Sequence, residues 1–450
     1  MALAAGGQTS GDGPFDDGPD AKLEMDEVVT STTQAKRLAL LLGPDHWWKQ
    51  PLVYGLTRFD RLDVDRLRQT LLLVSRRHAG LRTVFLREGG TDRAGLLREP
   101  VWPLRVVDVS TSPPSGSDWS EEESEALGWL GRDFDPYERP LVRALLLHRS
   151  DHDLLGLGVE HSLCDGASAR FLLQDVAEVY SGLEHAPAGV FDILVSDATE
   201  FAREERKWLA GAHGQIALDW WDDVSHGLGA YPELTIPTLE EPHGTEPQTF
   251  VRELSTPEIG ALRAAQRELR LSSFMLAATA AAVALRHVVP EDDVKFLFAN
   301  SRRTWPSTHA LIAYCANRSM IRIQVGATES LSGIASKVRS STVAALRHGM
   351  FSHEEYVHAR FPEAYDRKPS SPYFHLNVHE QQPLTRLAQG WTRVALPSRP
   401  GNTAVPGVSV NVLVRPDGTG AMGVSHPTGM YPDDLAAALA HEIIEFMTRT

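Results

Sequence analysis

Cysteine is scarce in this chain, which has two cysteines, Cys164 and Cys315, among its 450 residues. Two cysteines cannot build the disulfide framework of a small secreted protein, and no cysteine–histidine spacing matches a zinc site. We therefore expect a protein that binds no metal and works in the reducing environment of the cytoplasm.

Basic charge and long apolar runs are also missing. The net charge is −15 at pH 7, and no basic stretch interleaved with aromatic residues is found, which argues against a nucleic-acid partner. No apolar run reaches the roughly 18 residues that cross a bilayer. Met1 to Asp20 lack the basic and apolar parts of a signal peptide. We therefore predict no membrane association, and we predict that the Gly- and Asp-rich residues 1–25 form a disordered tail.

The chain is long enough for two domains, and its strand-like and helix-like segments alternate as they do in α/β proteins. The apolar runs Leu141 to His148 and Asp153 to Val159 predict a hairpin. Helices are predicted over Leu62 to His78, Ala167 to Tyr180, Asp197 to Leu228, Ser272 to Val288 and Pro432 to Thr448.

The segment Glu160-His161-Ser162-Leu163-Cys164-Asp165-Gly166 carries the clearest functional signal. It follows the apolar run 154–159 and precedes a predicted helix, so the histidine leaves a strand at a turn. An imidazole at such a turn suits acid–base chemistry, because its pKa lies near neutral pH. Alone, the His-x-x-x-Asp-Gly pattern is weak, since a chain of this size matches it by chance roughly one time in ten.

Further segments around this motif follow a recognisable order. Arg77-His78-Ala79-Gly80-Leu81-Arg82-Thr83-Val84-Phe85 resembles an "RHxxLRTxF" element. The other segments are Ser31 to Leu38, Phe134 to Arg143, Asp197 to Trp208, Ile312 to Ser319, Ser352 to Val357 and Arg367 to Phe374. With the histidine motif, they resemble the ordered elements of the condensation domains of nonribosomal peptide synthetases, over nearly the whole chain from Met25. That family is part of the chloramphenicol acetyltransferase-like superfamily of acyltransferases.

The resemblance implies an α/β fold in which two chloramphenicol acetyltransferase-like lobes form a V-shaped pseudo-dimer, with the active site in a tunnel between them. The stretch 181–190 contains Gly, Pro and Ala and is predicted to hold the lobe boundary. We therefore expect an N-terminal lobe over residues 26–183, which carries the His-x-x-x-Asp-Gly motif, and a C-terminal lobe over residues 184–450.

The resemblance also implies roles for the motif residues. His161 is expected to be catalytic, either as a general base or as the group that positions the nucleophile. Gly166 is interpreted as a catalytic backbone requirement that aims its N–H at the developing oxyanion, and a larger side chain there is expected to block the tunnel. Asp165 is expected to be structural, because the resemblance pairs it with Arg143, which ends the strand before the motif.

Glu160 departs from the family pattern, which has a second histidine at this position. A carboxylate here either orients His161, raises its pKa, or turns away and bonds to the backbone, and we favour a structural supporting role. Cys164 lies inside the motif, but a buried apolar thiol is far commoner than a catalytic one.

In the C-terminal lobe, Asn377 is a candidate for the tunnel wall, and His353 and His375 are further polar candidates. The pairs Trp47-Trp48 and Trp220-Trp221 are interpreted as core or lobe-interface packing rather than channel lining.

The implied function is that of a free-standing condensation enzyme in natural-product biosynthesis. It would transfer an acyl or aminoacyl group from the phosphopantetheine thioester of an acyl or peptidyl carrier protein to an amine or alcohol. The nucleophile would be a small molecule or a carrier-bound group. No cofactor is expected on the chain itself, because the partner carrier supplies the phosphopantetheine.

Neither an adenylation segment nor a carrier motif is recognised, so we expect the carrier to act in trans on a monomeric protein. Carrier proteins are acidic, and Arg203, Arg206 and Lys207 are candidate docking residues. Two alternatives remain open. One is an acyl-CoA-dependent O- or N-acyltransferase of the same fold, and the other is a non-catalytic recruiting module of a peptide synthetase assembly line.

Overall fold

The computed structural model describes residues 25–42, 51–88, 91–110, 119–240, 247–365, 373–381, 388–394, 396, 407–432 and 434–448. The predicted disordered tail lies outside these residues except for Met25, and the pair Trp47-Trp48 lies outside them as well.

The first half of the chain alternates between strands and helices, as its apolar periodicity predicts. Its strands are β1 (Met25–Val28), β2 (Leu52–Arg58), β3 (Thr83–Glu88), β4 (Thr91–Leu97), β5 (Leu104–Asp108), β6 (Val142–His148) and β7 (Asp153–Val159). Its helices are α1 (Thr32–Leu42), α2 (Val64–Arg77), α3 (Glu121–Leu130) and α4 (Ser168–Gly182).

The second half of the chain also contains both helices and strands. Its helices are α5 (Ala198–Leu209), α6 (Ala212–Val224), α7 (Thr256–Leu269), α8 (Ser273–Val288), α9 (Leu331–Arg347), α10 (His353–Arg360), α11 (Pro362–Tyr365) and α12 (Leu435–Thr448). Its strands are β8 (Pro247–Leu254), β9 (Asp293–Asn300), β10 (Asn317–Gln324), β11 (Phe374–Glu380), β12 (Trp391–Val394), β13 (Val408–Val414) and β14 (Gly420–Pro427).

The predicted local elements are confirmed where the periodicity is strong. Helix α2 begins after Asp63, whose side chain accepts a hydrogen bond from the Arg66 amide, and it buries Leu67 and Leu71. Strands β6 and β7 form the predicted antiparallel hairpin. The helical region predicted over Asp197 to Leu228 is two helices, α5 and α6, because the chain turns at Gly211.

Two main sheets organise the described residues, each with its own apolar core. The N-terminal sheet has the order β12-β2-β7-β6-β5 and packs against α2 and α4. The C-terminal sheet has the order β10-β9-β11-β13-β14-β8 and packs against α8 and α12. A third, smaller sheet has the order β1-β4-β3. The predicted two-lobed α/β architecture is therefore confirmed.

Strand β12 crosses from one half of the chain to the other. It follows residue 184, yet it pairs antiparallel with β2 and completes the N-terminal sheet. Trp391 of this strand is buried in the N-terminal core, edge-on to Tyr180 at 5.5 Å between ring centroids, and its indole N–H donates to the Ser181 hydroxyl. The two halves are therefore tied together by sheet pairing as well as by side-chain contacts.

The tryptophan pair Trp220-Trp221 packs inside the second half, as predicted. Trp221 is fully buried and lies parallel to the Tyr356 ring at 5.4 Å. Across the described ranges, no single helix has both the length and the apolar character to cross a bilayer. Helices α7 and α8 meet that test only as a pair, and they are bent by 93°.

Candidate active site

A cavity of about 280 Å³ lies between the two lobes and is lined from both of them. The N-terminal lobe contributes α1 and the loop after β7, including His161 and Gly166. The C-terminal lobe contributes β9, the segment that leads into β10, the start of α10, and β11. Alternate residues of a strand point to the same side, so His375, Asn377 and His379 of β11 share the face that lines the cavity.

His161 is held in one tautomer. Its Nδ1 lies 2.9 Å from the carbonyl oxygen of Cys164. A carbonyl can only accept a hydrogen bond, so Nδ1 carries the proton and Nε2 is the basic nitrogen of the neutral ring. The Tyr314 ring stands edge-on to the imidazole, with ring centroids 5.1 Å apart.

Burial, with the nearby Arg37 cation, lowers the pKa of His161 to about 4. The Glu160 carboxylate acts in the opposite direction but does not outweigh these two effects. At neutral pH the imidazole is therefore uncharged, and Nε2 can accept a proton.

Glu160 stabilises the loop that carries His161 through two buried contacts. Its carboxylate forms a buried ion pair with Arg37 of α1 at 2.8 Å, and it also accepts a hydrogen bond from the Ser162 amide. Burial alone raises the pKa of this carboxyl, but the Arg37 cation and the Ser162 amide hold it below its ordinary value. Of the alternatives considered for Glu160, the supporting role agrees with these contacts.

The predicted pairing of Asp165 with Arg143 is wrong. Arg143 turns away from the motif, binds the Glu138 carboxylate at 3.0 Å and lies over the Phe134 ring. The partner of Asp165 is Arg303, which follows β9 in the other lobe, at 2.8 Å. The strand that precedes the motif therefore does not supply the cation. It comes instead from a segment that only the packing of the lobes brings close.

Asp165 ties the histidine loop to the C-terminal lobe. Besides Arg303, its carboxylate accepts hydrogen bonds from the backbone amides of Cys315 and Ala316, each at 3.1 Å. It also accepts from the amide and hydroxyl of Ser168 at the start of α4, each at 2.8 Å. A carboxylate with this many donors is fully satisfied and anchors the loop across the lobe boundary.

Of the other two motif residues, Cys164 is buried in the core and Gly166 lines the cavity. Cys164 is fully buried beside the Tyr54 hydroxyl, and burial raises the pKa of its thiol, so it stays protonated at neutral pH. Gly166 lines the cavity with a φ outside the left-handed region, and a Cβ added there would lie 3.9 Å from His379 Cε1. A methyl group therefore fits, so the expectation that any larger side chain blocks the tunnel is wrong for alanine.

The candidates of the second lobe separate into two groups. Asn377 and His375 line the cavity, with Asn377 Nδ2 donating to Asn411 Oδ1 at 3.0 Å. Burial, with the Arg318 cation, lowers the pKa of His375 to about 3. His353 is buried against Trp221 and Tyr231 and belongs to the packing behind the cavity.

Several site residues were missed by the reading of the sequence. Arg37 lies within the Ser31 to Leu38 element. Because a buried carboxylate at position 160 needs a cation, this basic residue could have been proposed as its partner from the sequence. Arg303 lies 138 residues from Asp165, and His379 marks no motif, so neither carried a signal.

A buried polar cluster behind α1 also had no counterpart in the sequence analysis. Glu205 of α5 forms a fully buried ion pair with Arg302, whose guanidinium also donates to the Thr33 hydroxyl at 2.8 Å. The Thr32 hydroxyl contacts carboxyl oxygens of both Glu205 and Glu355. One hydroxyl proton can serve one of these contacts, so the other needs a proton on a carboxyl group.

Glu355 is the carboxyl that holds this proton. Burial, with the nearby Glu205 carboxylate, raises the pKa of Glu355 to about 7, and Arg302 only partly offsets that rise. Helix α10 is thus joined to α1 and α5 by a contact that needs a protonated acid.

We expect the contribution of Glu355 to stability to be present in full below pH 4.5, its ordinary pKa, and to be lost as the pH rises through about 7. The free energy of unfolding should then fall most steeply between these two pKa values, by up to about 1.4 kcal/mol per pH unit, and level off above the higher one. Glu355→Gln, which stays neutral, should flatten this dependence in chemical denaturation between pH 5 and 8. Glu363→Gln on exposed α11 is the control, and parallel curves for wild type and Glu355→Gln would contradict the assignment.

Among the residues that the structure describes, no group of three or more His, Cys, Asp or Glu side chains is arranged to hold a metal ion. What the cavity offers is a neutral imidazole with a basic Nε2, an anchored loop, and a polar strand face opposite.

Comparisons with known proteins agree with this architecture. The family model described as the condensation domain matches residues 25–382. The Malpinin synthetase of Mortierella alpina is 24% identical over 331 residues, which cover 72% of this chain and 4% of that protein. The chain thus spans a small fraction of that relative.

Two solved structures match the chain along nearly their whole length. SgcC5 from Streptomyces globisporus, in complex with (R)-(-)-1-(2-naphthyl)-1,2-ethanediol and sucrose, has a TM-score of 0.72 at 19% identity, covering 94% of this chain and 98% of that one. The condensation domain of the Monacolin K polyketide synthase MokA has a TM-score of 0.77 at 15% identity, covering 94% and 97%.

Proposed function

The chain belongs to the condensation domain family, and from that premise we propose that it is a free-standing acyltransferase. It transfers an acyl or aminoacyl group from the phosphopantetheine thioester of a carrier protein to an amine or alcohol. The observation that carries this proposal is the neutral His161 ring, which places a basic Nε2 in a cavity lined by both lobes.

In the proposed reaction, the nucleophile attacks the thioester carbonyl carbon, and its N–H or O–H proton passes to His161 Nε2. The tetrahedral intermediate then collapses, the carbon–sulfur bond breaks, and the departing thiolate takes the proton back from the imidazolium. The products are an amide or ester and the free thiol of the carrier arm, so atoms and charge balance. His161, Asp165 and Glu160 belong to one loop, and the carboxylates of the last two keep its shape.

Two observations favour activity over a purely recruiting role. The replacement of the family histidine by Glu160 is accommodated, because Arg37 neutralises the buried carboxylate and the loop keeps its hydrogen bonds. The His161 hydrogen bond to Cys164 also presents the basic nitrogen that the chemistry needs. The diol in the SgcC5 complex supports including alcohols among the nucleophiles.

The test is product formation, followed by mass spectrometry, from pantetheine thioesters with a panel of amines and alcohols. The same nucleophiles are then offered with acylated carrier protein and with acyl-CoA. Faster product formation with the carrier than with CoA supports the proposal, whereas a preference for acyl-CoA supports the alternative of a CoA-dependent acyltransferase. Absence of product with every donor would favour a recruiting module.

We expect the rate with an alcohol nucleophile to be flat near neutral pH and to fall as the pH drops through about 4. Burial and the Arg37 cation lower the pKa of His161 to about 4, and a protonated ring cannot accept the proton of the nucleophile. The measurement is a pH–rate profile at limiting thioester, with an alcohol chosen because it does not itself titrate in this range. A break near 6.5, the ordinary value for histidine, would contradict the assignment.

A further inference from the structure

Tyr314 lines the cavity beside His161, although the sequence assigned no role to it. Its ring stands edge-on to the imidazole, with an angle of 77° between the two ring planes. The residue belongs to the C-terminal lobe, in the segment that leads into β10, whereas His161 belongs to the N-terminal lobe. The two lobes therefore meet in an aromatic contact between the proposed base and a phenol.

Hydrogen bonds fix the backbone of Tyr314 relative to the histidine loop. The Thr33 hydroxyl of α1 donates to the Tyr314 carbonyl oxygen at 3.3 Å. The amide of the next residue, Cys315, donates to the Asp165 carboxylate at 3.1 Å. Because Asp165 belongs to the loop that carries His161, the phenol and the imidazole are held in one network of contacts.

The Tyr314 hydroxyl is open to this cavity. It makes no hydrogen bond to any other residue within the described ranges, and a water-sized molecule can reach its oxygen. Four charged groups lie close enough to the hydroxyl to affect its pKa, and all four residues line the cavity. They are Arg37, Asp165, Arg318 and Glu354. The space that the hydroxyl faces is therefore the cavity that contains His161.

The hydroxyl is also protonated at neutral pH. Burial raises the pKa of Tyr314 above its ordinary value, and the Arg37 cation offsets only part of that rise. A neutral phenol can donate one hydrogen bond. The guanidinium groups that line the cavity are bound to carboxylates, in the pairs Arg37–Glu160 and Arg318–Glu354. Tyr314 therefore offers the cavity a neutral donor that no protein carboxylate occupies.

The proposed reaction needs a donor at one atom in particular. When the nucleophile attacks, the carbonyl oxygen of the thioester becomes an oxyanion, which hydrogen-bond donors stabilise. His161 does not serve this oxygen during the attack, because its Nδ1–H donates to the Cys164 carbonyl and its Nε2 receives the proton of the nucleophile. The oxyanion forms close to the imidazole, and so within reach of the Tyr314 side chain that stands edge-on to it.

We propose that Tyr314 is a further catalytic residue, whose hydroxyl donates a hydrogen bond to the thioester carbonyl oxygen as negative charge develops on it. It acts beside the Gly166 N–H, for which the sequence predicts the same role. The phenol keeps its proton throughout, so the proton of the nucleophile still passes to His161 Nε2 and then to the departing thiolate. The inference rests on the proposed function and adds a residue to its mechanism.

The test is to measure kcat and KM for Tyr314→Phe in the acyl-transfer assay. We expect kcat to fall by about 10²- to 10³-fold with KM nearly unchanged, because the hydrogen bond strengthens in the transition state. The thermal unfolding midpoint should match that of wild type, since the hydroxyl has no partner among the described residues. Wild-type kcat in Tyr314→Phe would overturn the proposal, and so would a loss of activity that only follows a loss of stability.

Two further variants separate the hydroxyl from the ring and from a general effect of removing a phenol. Tyr314→Leu removes the ring as well, and if it lost activity while Tyr314→Phe kept it, the ring would only position the imidazole and the proposal would be wrong. Tyr356→Phe is the matched control, because Tyr356 is buried against Trp221 and is not among the described residues that line the cavity. It should keep the wild-type kcat, and a loss as large as that of Tyr314→Phe would contradict the assignment.

Binding is measured as well, so that the inference does not depend on turnover. Two pantetheine derivatives are titrated into wild type and Tyr314→Phe by calorimetry: an acyl phosphonate, which carries tetrahedral anionic oxygens, and the amide with a planar carbonyl. We expect Tyr314→Phe to bind the phosphonate about tenfold or more weakly and the amide nearly as well as wild type. That result without product formation would leave the inference standing while the proposed function fails. Equal affinity of the two proteins for the phosphonate, or no binding of it by wild type, would refute the inference.

Discussion

His161→Ala should lower the rate of acyl transfer by about 10²- to 10⁴-fold, the range that a positioned acid–base group contributes. The ring is uncharged at neutral pH, its Nδ1–H donates to the Cys164 carbonyl, and its Nε2 is the basic nitrogen of this ring. The rate should fall further with an alcohol nucleophile than with an amine, because an alcohol depends more strongly on a general base to remove its proton.

This loss has to be separated from damage to the fold. The thermal unfolding midpoint and the circular dichroism spectrum of His161→Ala should match those of wild type, since the hydrogen bond to Cys164 is local to the loop. His441→Ala on the exposed side of α12 removes an imidazole far from the cavity and should keep full activity. A folded His161→Ala protein with wild-type rates for both nucleophiles would rule out the catalytic role.

Removal of either partner of the Asp165–Arg303 pair should cost about 3–5 kcal/mol of unfolding free energy. The pair is buried, with side chains 2% and 9% exposed, so each single substitution leaves an uncompensated charge in the interior. Asp165→Ala also takes the acceptor from the Cys315 and Ala316 amides, which join the histidine loop to the other lobe. We therefore expect activity to fall together with stability.

A double-mutant cycle distinguishes this pair from the one that the family resemblance implied. In urea denaturation, Asp165→Ala and Arg303→Ala should be non-additive, with a coupling energy on the order of 1–3 kcal/mol. Asp165→Ala and Arg143→Ala should be additive within about 0.5 kcal/mol, because Arg143 binds Glu138 instead. Strong coupling of Asp165 to Arg143, with none to Arg303, would show that the interlobe pair does not exist in solution.

The predictions that the structure confirms are those of single helices and strands, which depend on residues close together in the sequence. Helix α2 and the β6–β7 hairpin were predictable because their buried positions repeat with helix and strand periods, and a few neighbouring residues set each boundary. The same holds for the place of His161 at the end of a strand. The division of one predicted helical region into α5 and α6 depended on a turn at Gly211 that the tryptophan-rich pattern did not reveal.

The prediction that failed was the identity of the cation that pairs with Asp165. Asp165 was expected to be structural with Arg143 as its cation, as the resemblance implied, whereas the structure supplies Arg303 from the other lobe. Strand β12 is a similar case, since a segment after residue 184 completes the N-terminal sheet. Neither contact can be predicted from hydrophobic periodicity, because periodicity depends only on the helix or strand that contains a residue and not on the distant residue that it meets.

The order of the motifs in the chain was sufficient to predict the two-lobed α/β fold, and it also pointed to the histidine on which the proposed chemistry depends. Which groups meet in the cavity was decided by the packing of the lobes. Glu160 meets Arg37 across 123 residues of chain, and Asp165 meets Arg303 across 138. Periodicity reports which face of an element is buried, whereas the identity of the atoms opposite depends on how distant sheets come together. For that reason the ion pairs and the proton held by Glu355 were visible only in the folded structure.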